Sequence, residues 1–296
     1  MQLEEILSAL ENHTGIFPRL AVERAIEERE AITPLLLATL AECNKNLEVL
    51  LDKPDYMLHL YAMFLLAQFR EPQAYPLITE FFAAPGDIAL DATGDVVTEY
   101  LARILASVSH ENIEPIKQLI ENQAANEYVR GAALKSLVVL VVEGIISREE
   151  VIQYYEELFV TKLEKEPTSS YIWSDLVVNS ASLCPIELKE YIDRAYEQDL
   201  IESFFIDEED VNECIEMGVG DCLDKLLNNS HYSLIDNTIK EMERWASFQP
   251  KKLNKKENFD GLIEGFIPSA KHNKEKSAKK KKMQKDSRRK NRAKKK

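Results

Sequence analysis

The chain has 296 residues, 45% of them hydrophobic and 30% charged, with a formal net charge of -14. Residues 251–296 hold 19 Lys+Arg against 5 Asp+Glu, a local +14, while residues 1–250 hold 18 against 46, a local -28. The apolar content of residues 1–250 excludes a wholly disordered chain, 9 Gly and 11 Pro exclude a collagen-like one, and no apolar run approaches the ~20 residues of a membrane-spanning helix. Met1-Gln2-Leu3-Glu4-Glu5 lacks the basic and apolar regions of a signal peptide, so a cytoplasmic protein is expected.

In chain order, Leu3, Ile6, Leu7 and Leu10 keep the 3.6-residue period and predict a helix over 2–12. Phe17-Pro18 and Thr33-Pro34 each read as a helix start, because proline at the first helical position gives up an N–H that would have no partner there. Asp55 reads as the cap of a fourth helix running to Phe69. Helix pairs then recur: 55–69 with 73–83, 95–107 with 112–122, 126–143 with 148–164, and 170–183 with 185–198. The second helices begin 36–39 residues apart. Leu65-Leu66-Ala67 with Pro76-Leu77 aligns with Ile104-Leu105-Ala106 and Pro115-Ile116. This period predicts an all-α, HEAT-like solenoid of helix pairs. An irregular bundle is the alternative, and the small/aromatic pattern of tetratricopeptide repeats is missing.

Leu137-Val138-Val139-Leu140-Val141-Val142 looks like a buried strand, but it continues from Ala132-Ala133-Leu134-Lys135-Ser136 and stops at Gly144, a helix C-cap. A buried central helix is expected there. Phe204-Phe205-Ile206 reads as an apolar anchor, Asp207 as the cap of a helix opening Glu208-Glu209-Asp210, and 221–227 and 233–246 as two further helices. Residues 251–270 read as a short apolar-containing linker, and 271–296 as a disordered basic tail.

Catalytic signatures are weak. Gly218-Val219-Gly220 lacks the third glycine and preceding strand of a dinucleotide site, and reads as a C-cap followed by an Asp221 cap. There is no Walker A loop, no G-x-S-x-G elbow and no H-E-x-x-H. Asp55 and His59 share a helix face, with Asp55 better explained as a cap. Glu149-Glu150 and Glu208-Glu209 read as dipole-complementing first turns. Cys43, Cys184, Cys214 and Cys222 are scattered and read as buried neutral thiols. No catalytic residue, metal site or cofactor is expected.

The charge pattern carries more. An acidic repeat surface disfavours nucleic acid and suits a basic protein partner. In the tail, Lys279, Lys280, Lys281, Lys282, Lys285, Arg288, Arg289, Lys290, Arg292, Lys294, Lys295 and Lys296 are candidate contacts for phosphate or an acidic partner. The tail could hold RNA or ribosomal phosphates by counterion release, contact its own acidic body, or only add solubility or nuclear targeting. The expected function is a non-enzymatic scaffold or adaptor holding a protein partner on a helical surface. An RNA- or ribosome-associated protein is the first alternative, and an enzyme the remote one.

The segments Ile6-Leu7…Phe17-Pro18…Ala25-Ile26-Glu27-Glu28-Arg29-Glu30…Ile32-Thr33-Pro34-Leu35-Leu36, Ala62-Met63-Phe64-Leu65-Leu66-Ala67-Gln68-Phe69-Arg70-Glu71, and Ile235-Asp236-Asn237-Thr238-Ile239-Lys240-Glu241-Met242-Glu243-Arg244-Trp245 resemble the uncharacterised bacterial family labelled domain of unknown function 1186, over roughly residues 1–248. The resemblance implies a helical scaffold and no particular activity. Some members of that family end in a Cys-rich SEC-C zinc motif. This chain has no Cys after Cys222, so zinc is not implied here.

Overall fold

The computed structural model of the chain describes residues 1–249. Among the described residues there are seventeen α-helices and no strand beyond isolated bridges such as Asn12 to Tyr56, so the all-α expectation holds. In order they are α1 (Leu3–Glu11), α2 (Arg19–Glu27), α3 (Arg29–Lys45), α4 (Glu48–Leu51), α5 (Leu58–Gln68), α6 (Ala74–Phe82), α7 (Ile88–Thr93), α8 (Val96–Glu99), α9 (Leu101–Ser109), α10 (Glu114–Glu121), α11 (Glu127–Val142), α12 (Arg148–Glu157), α13 (Tyr171–Ser182), α14 (Lys189–Glu197), α15 (Glu208–Met217), α16 (Val219–Leu227) and α17 (Thr238–Met242). The expected linker (251–270) and tail (271–296) lie outside the described residues.

Helices occupy the expected pair positions, with 95–107 broken at Tyr100 into α8 and α9 and α12 ending at Glu157. The first helices α5, α9, α11 and α13 pack side by side in one row, and α6 and α10 pack behind it. The second helices are joined by phenol hydroxyls. Tyr75 on α6 donates to the Asn112 carbonyl (2.8 Å), Tyr154 on α12 to Glu121 of α10 (3.2 Å), and Tyr191 on α14 to Glu156 of α12 (2.7 Å). α11 is the buried centre: Ala132 to Val141, apart from Lys135, is closed to solvent. The Leu-Val run is therefore a helix, because neighbouring helices cover it on every side but one.

First helices end alike. Arg70, His110, Gly144 and Cys184 follow α5, α9, α11 and α13, and all have left-handed φ, at 56°, 47°, 67° and 56°. After α5 and α11, the N–H groups of Glu71 and Ile145 reach back to the Leu66 and Leu140 carbonyls, satisfying acceptors left over at the helix end. Only Gly144 adopts this conformation without strain, which is why only that stop was visible as a glycine.

Several boundaries differ from expectation. Thr33-Pro34 does not open a helix. The break falls at Glu28, and Pro34 lies inside α3. The carbonyl that its ring crowds is that of Glu30, in the first turn, and the Arg29 guanidinium anchors that turn on the Phe69 carbonyl. Thr33 Oγ1 donates to the Arg29 carbonyl (2.7 Å). Asp55 is not a cap, since its backbone carbonyl accepts from the His13 N–H (2.7 Å) and α5 starts three residues later. Pro18 is the cap of α2 rather than its first residue. α16 starts at Val219, directly after Gly218, so Asp221 lies in its first turn. The helix expected over 233–246 shrinks to α17 between 3-10 turns at Ser230–Tyr232 and Ala246–Phe248. Asp207 does cap α15: its carboxylate accepts from the Asp210 N–H (3.0 Å), while Asp210 accepts from the Asp207 N–H (3.2 Å).

Candidate protein-binding surface

The face of the first-helix row turned away from the second helices divides in two. Over α5 and α9 it is covered by the chain's own residues 228–249. Its stripe at helical spacing, Tyr100, Arg103 and Ser107, is fully engaged. Arg103 donates to the Ser233 carbonyl (2.7 Å), the Leu234 carbonyl (3.2 Å) and both carboxylate oxygens of Glu241 (2.8 Å each). That ion pair is almost closed to water, at 5% and 16% exposure. The Ile235 N–H donates to Ser107 Oγ (2.9 Å) and the Thr238 N–H to Gln68 Oε1 (2.7 Å). Trp245 packs edge-on to Phe64 and donates its indole N–H to the Tyr100 hydroxyl (3.1 Å). Ile235, Thr238 and Met242 are fully buried.

Over α11 and α13 the row packs against α15, α16 and the Ser230–Tyr232 turn, and Tyr128 stays exposed. Tyr128, Gly131 and Lys135 share one face of α11, at spacings of three and four residues, and Tyr171 and Asp175 share one face of α13. The loop before α15 adds Phe204 and Phe205. Both are exposed, and of the expected anchor only Ile206 is buried. The rings form a chain: Tyr128 to Tyr171 at 5.3 Å, Tyr171 edge-on to Phe205 at 4.7 Å, and Phe205 to Phe204 at 5.3 Å. Tyr128 is 42% exposed and Phe205 39%.

Glu127 and Asp175 lie beside Tyr171. Glu127 accepts from the Tyr171 N–H (3.2 Å), and the Glu202 N–H is held by Ser174 Oγ (2.9 Å). Asp175 sits directly on the α11 backbone: a Cβ built on Gly131 would lie 1.6 Å from its Oδ2. A mid-helix glycine costs about 0.5–1 kcal/mol relative to alanine, and here it makes room for a carboxylate. Burial pushes the Asp175 carboxyl up to about 7, against the Tyr171 hydrogen bond and the charge of Lys135, which draw it down. Burial likewise lowers the Lys135 ammonium, which lies over the Tyr232 ring, 5.0 Å from its centroid.

The other candidates resolve as follows. His59 is buried, bonded through Nε2 to the Ala92 carbonyl (3.0 Å), and burial lowers it to about 4, so it is an uncharged core group. The cysteines are less scattered than their numbers suggest. Cys184 and Cys222 hydrogen-bond through their thiols, and Cys222 also bonds the Cys214 carbonyl (3.3 Å). Burial raises all three, Cys222 to about 12, so they are neutral thiols. No described cluster of three or more His, Cys, Asp or Glu is placed to hold a metal ion. No described helix is long and apolar enough to cross a membrane. The tail contacts Lys279, Lys280, Lys281, Lys282, Lys285, Arg288, Arg289, Lys290, Arg292, Lys294, Lys295 and Lys296 lie outside the described residues.

The aromatic cluster and the covering segment escaped the sequence analysis. Nothing local announced that residues 230–248 return to α5 and α9.

These features define an all-α protein of paired helices whose C-terminal segment closes over part of its own helix row. No solved structure matches it. The chain belongs to the family described as protein of unknown function (DUF1186), which matches residues 1–249. An uncharacterised protein of Chlamydia trachomatis serovar D is 43% identical over 251 residues, covering 84% of this chain and 98% of that protein. One from Chlamydia muridarum is 42% identical over 251 residues, covering 84% and 99%.

Proposed function

We propose that this chain is a non-enzymatic scaffold or adaptor of the cytoplasm, built as a HEAT-like solenoid, and that it holds a protein partner on the exposed rings beside α11 and α13. The observation that carries this reading is the ring cluster in which Tyr128, Phe204 and Phe205 stay exposed around the half-buried Tyr171. Clustered exposed aromatics on a rigid surface are what protein interfaces use as anchors. A photo-crosslinking residue at position 128, introduced in the native host, tests it. Discrete protein adducts that are absent with the crosslinker on α6 are the expected result. The absence of adducts at 128 and at neighbouring surface positions sinks the reading.

A second reading has its own support in the +14 of residues 251–296. The cations of residues 271–296, a stretch without aromatic residues, fit RNA or ribosomal phosphates, by a salt-dependent, sequence-independent contact. Filter binding of RNA that weakens steeply with salt and vanishes on truncation at residue 250 is expected. Binding unchanged by the truncation defeats this reading.

A further inference from the structure

We infer that Cys184 and Cys222 are a peroxide-sensitive dithiol, which hydrogen peroxide closes to a disulfide tying the end of α13 to α16. This goes beyond the scaffold reading and does not rest on it.

Two observations select this pair. The first is contact. The Cys222 S–H reaches two acceptors, Cys184 Sγ and the Cys214 carbonyl (3.3 Å). Sulfurs that share a hydrogen bond meet the first requirement of a disulfide, that the two side chains point at each other. The second is polarity. Besides the Cys222 thiol, Cys184 Sγ takes the Gly218 N–H at the start of α16, and the Arg148 guanidinium lies close by, donating to the Cys184 carbonyl. Donors, a helix start and a cation all favour sulfur as thiolate. Cys184 is therefore the nucleophile and Cys222 the thiol that resolves it. Burial opposes ionisation and raises both groups, Cys222 to about 12. That slows the first step and leaves the order of attack unchanged. Cys184 is closed to solvent and Cys222 nearly so, which selects an oxidant about as small as water over a bulky disulfide.

The chemistry closes without a further reagent. Cys184 Sγ attacks one oxygen of the peroxide, the O–O bond breaks, and the sulfur becomes a sulfenic acid. The other oxygen leaves as water with the Cys184 proton. Cys222 Sγ then attacks the sulfenic sulfur, the S–S bond forms and the S–O bond breaks, and the oxygen leaves as a second water with the Cys222 proton. The two thiols lose two electrons and the peroxide gains them. The closed loop contains Phe204 and Phe205, so the bond ties down the segment that carries these exposed rings.

The test treats the native full chain with hydrogen peroxide, alkylates it under denaturing, non-reducing conditions, and maps peptides by mass spectrometry. Cleavage after glutamate separates Cys214 from Cys222 at Glu216. The expected product is a Cys184–Cys222 cross-link, lighter by two hydrogens and reversed by dithiothreitol, with Cys43 alkylated as a free thiol. Closing the bond should raise the thermal midpoint by about 5–10 °C. Oxidised glutathione should leave all four cysteines of the native chain free. Cys214→Ser should retain the cross-link and Cys222→Ser lose it, with circular-dichroism melts confirming that each variant is folded. The wild-type map decides the matter even where a variant fails to fold. A cross-link through Cys214, a bond between two chains, glutathione attached to the native protein, or sulfinic acid at Cys184 without a cross-link overturns the proposal. So does a native chain left unreacted by peroxide that oxidises the denatured one.

Discussion

The two halves of the first-helix row are built from the same kind of helix and meet different fates. Over α5 and α9 the outward stripe of Tyr100, Arg103 and Ser107 is satisfied by the chain's own C-terminal segment, down to individual carbonyls. Beside α11 and α13, Tyr128, Phe204 and Phe205 stay exposed, while the Asp175 carboxylate is buried against the α11 backbone. A buried guanidinium requires partners supplied from elsewhere in the chain, and the C-terminal segment supplies them. A tyrosine tolerates water at its hydroxyl. The polar residue at each position thus separates the part of the row closed by the C-terminal segment from the part beside which rings stay exposed.

The largest way to break this contrast is Glu241→Ala. It leaves Arg103 buried without its carboxylate, a loss of about 3–5 kcal/mol. Urea denaturation is expected to show that loss, whereas Glu202→Ala in the loop that carries Phe204 and Phe205 shifts the midpoint by no more than about 0.5 kcal/mol. Equal effects of the two would erase the distinction.

Asp175→Asn comes next, with the opposite sign. The folded chain holds the Asp175 proton up to about pH 7, while the unfolded chain releases it near pH 4. Between those values the native state binds more protons, so stability falls as pH rises from about 4 to about 7 and is level above. Lys135, Tyr171 and Glu127 face this carboxyl and are unchanged in the variant. The amide should therefore stabilise by on the order of 3 kcal/mol at pH 8, have little effect at pH 4, and flatten the profile between. Urea midpoints at several pH values check this, and an unaltered slope in the variant would contradict it.

Gly131→Ala places a methyl group where Asp175 Oδ2 sits. The collision outweighs the helix-propensity gain, so a net loss of about 1–2 kcal/mol is expected. In an Asp175→Ala background the same change becomes stabilising by about 0.5–1 kcal/mol, because only the propensity gain is left. A double-mutant cycle on the two positions measures the reversal. A last effect, away from both halves, is at Asp199, whose φ of 57° ends α14 in the left-handed region. Asp199→Gly should raise stability by about 1 kcal/mol, read from the thermal midpoint, and leave both halves of the row untouched.

Much of the scaffold was legible in the residues. Periodicity located the helix pairs because each first helix buries a wide apolar face, and Gly144 and Asp207 announced their boundaries through their own backbone and side-chain chemistry. Thr33-Pro34 misled because a proline in an early helical turn looks, in sequence, like a proline at its start. The decisive neighbours lie at Glu28 and Phe69, and Phe69 is distant in the chain. The aromatic cluster was hidden for a related reason. Asp175 and Gly131 are unremarkable residues until α11 and α13 are laid side by side. The return of residues 230–248 could not be read locally, because its partners Gln68, Arg103 and Ser107 are more than a hundred residues away.

That return also determines how the chain must assemble. Phe248 packs on His13 and Phe17, at 5.1 and 5.4 Å, and Arg19 pairs with Glu243 across 224 residues of sequence. Helix pairs held only by their neighbours could form one after another as they leave the ribosome, and could fray from either end. Here the first helices have their finished environment only after the last described residues have been synthesised. At about 5–20 residues per second, the α5 and α9 surface waits on the order of ten seconds for its cover. The finished unit should then melt in one cooperative step, with its beginning and its end giving way together.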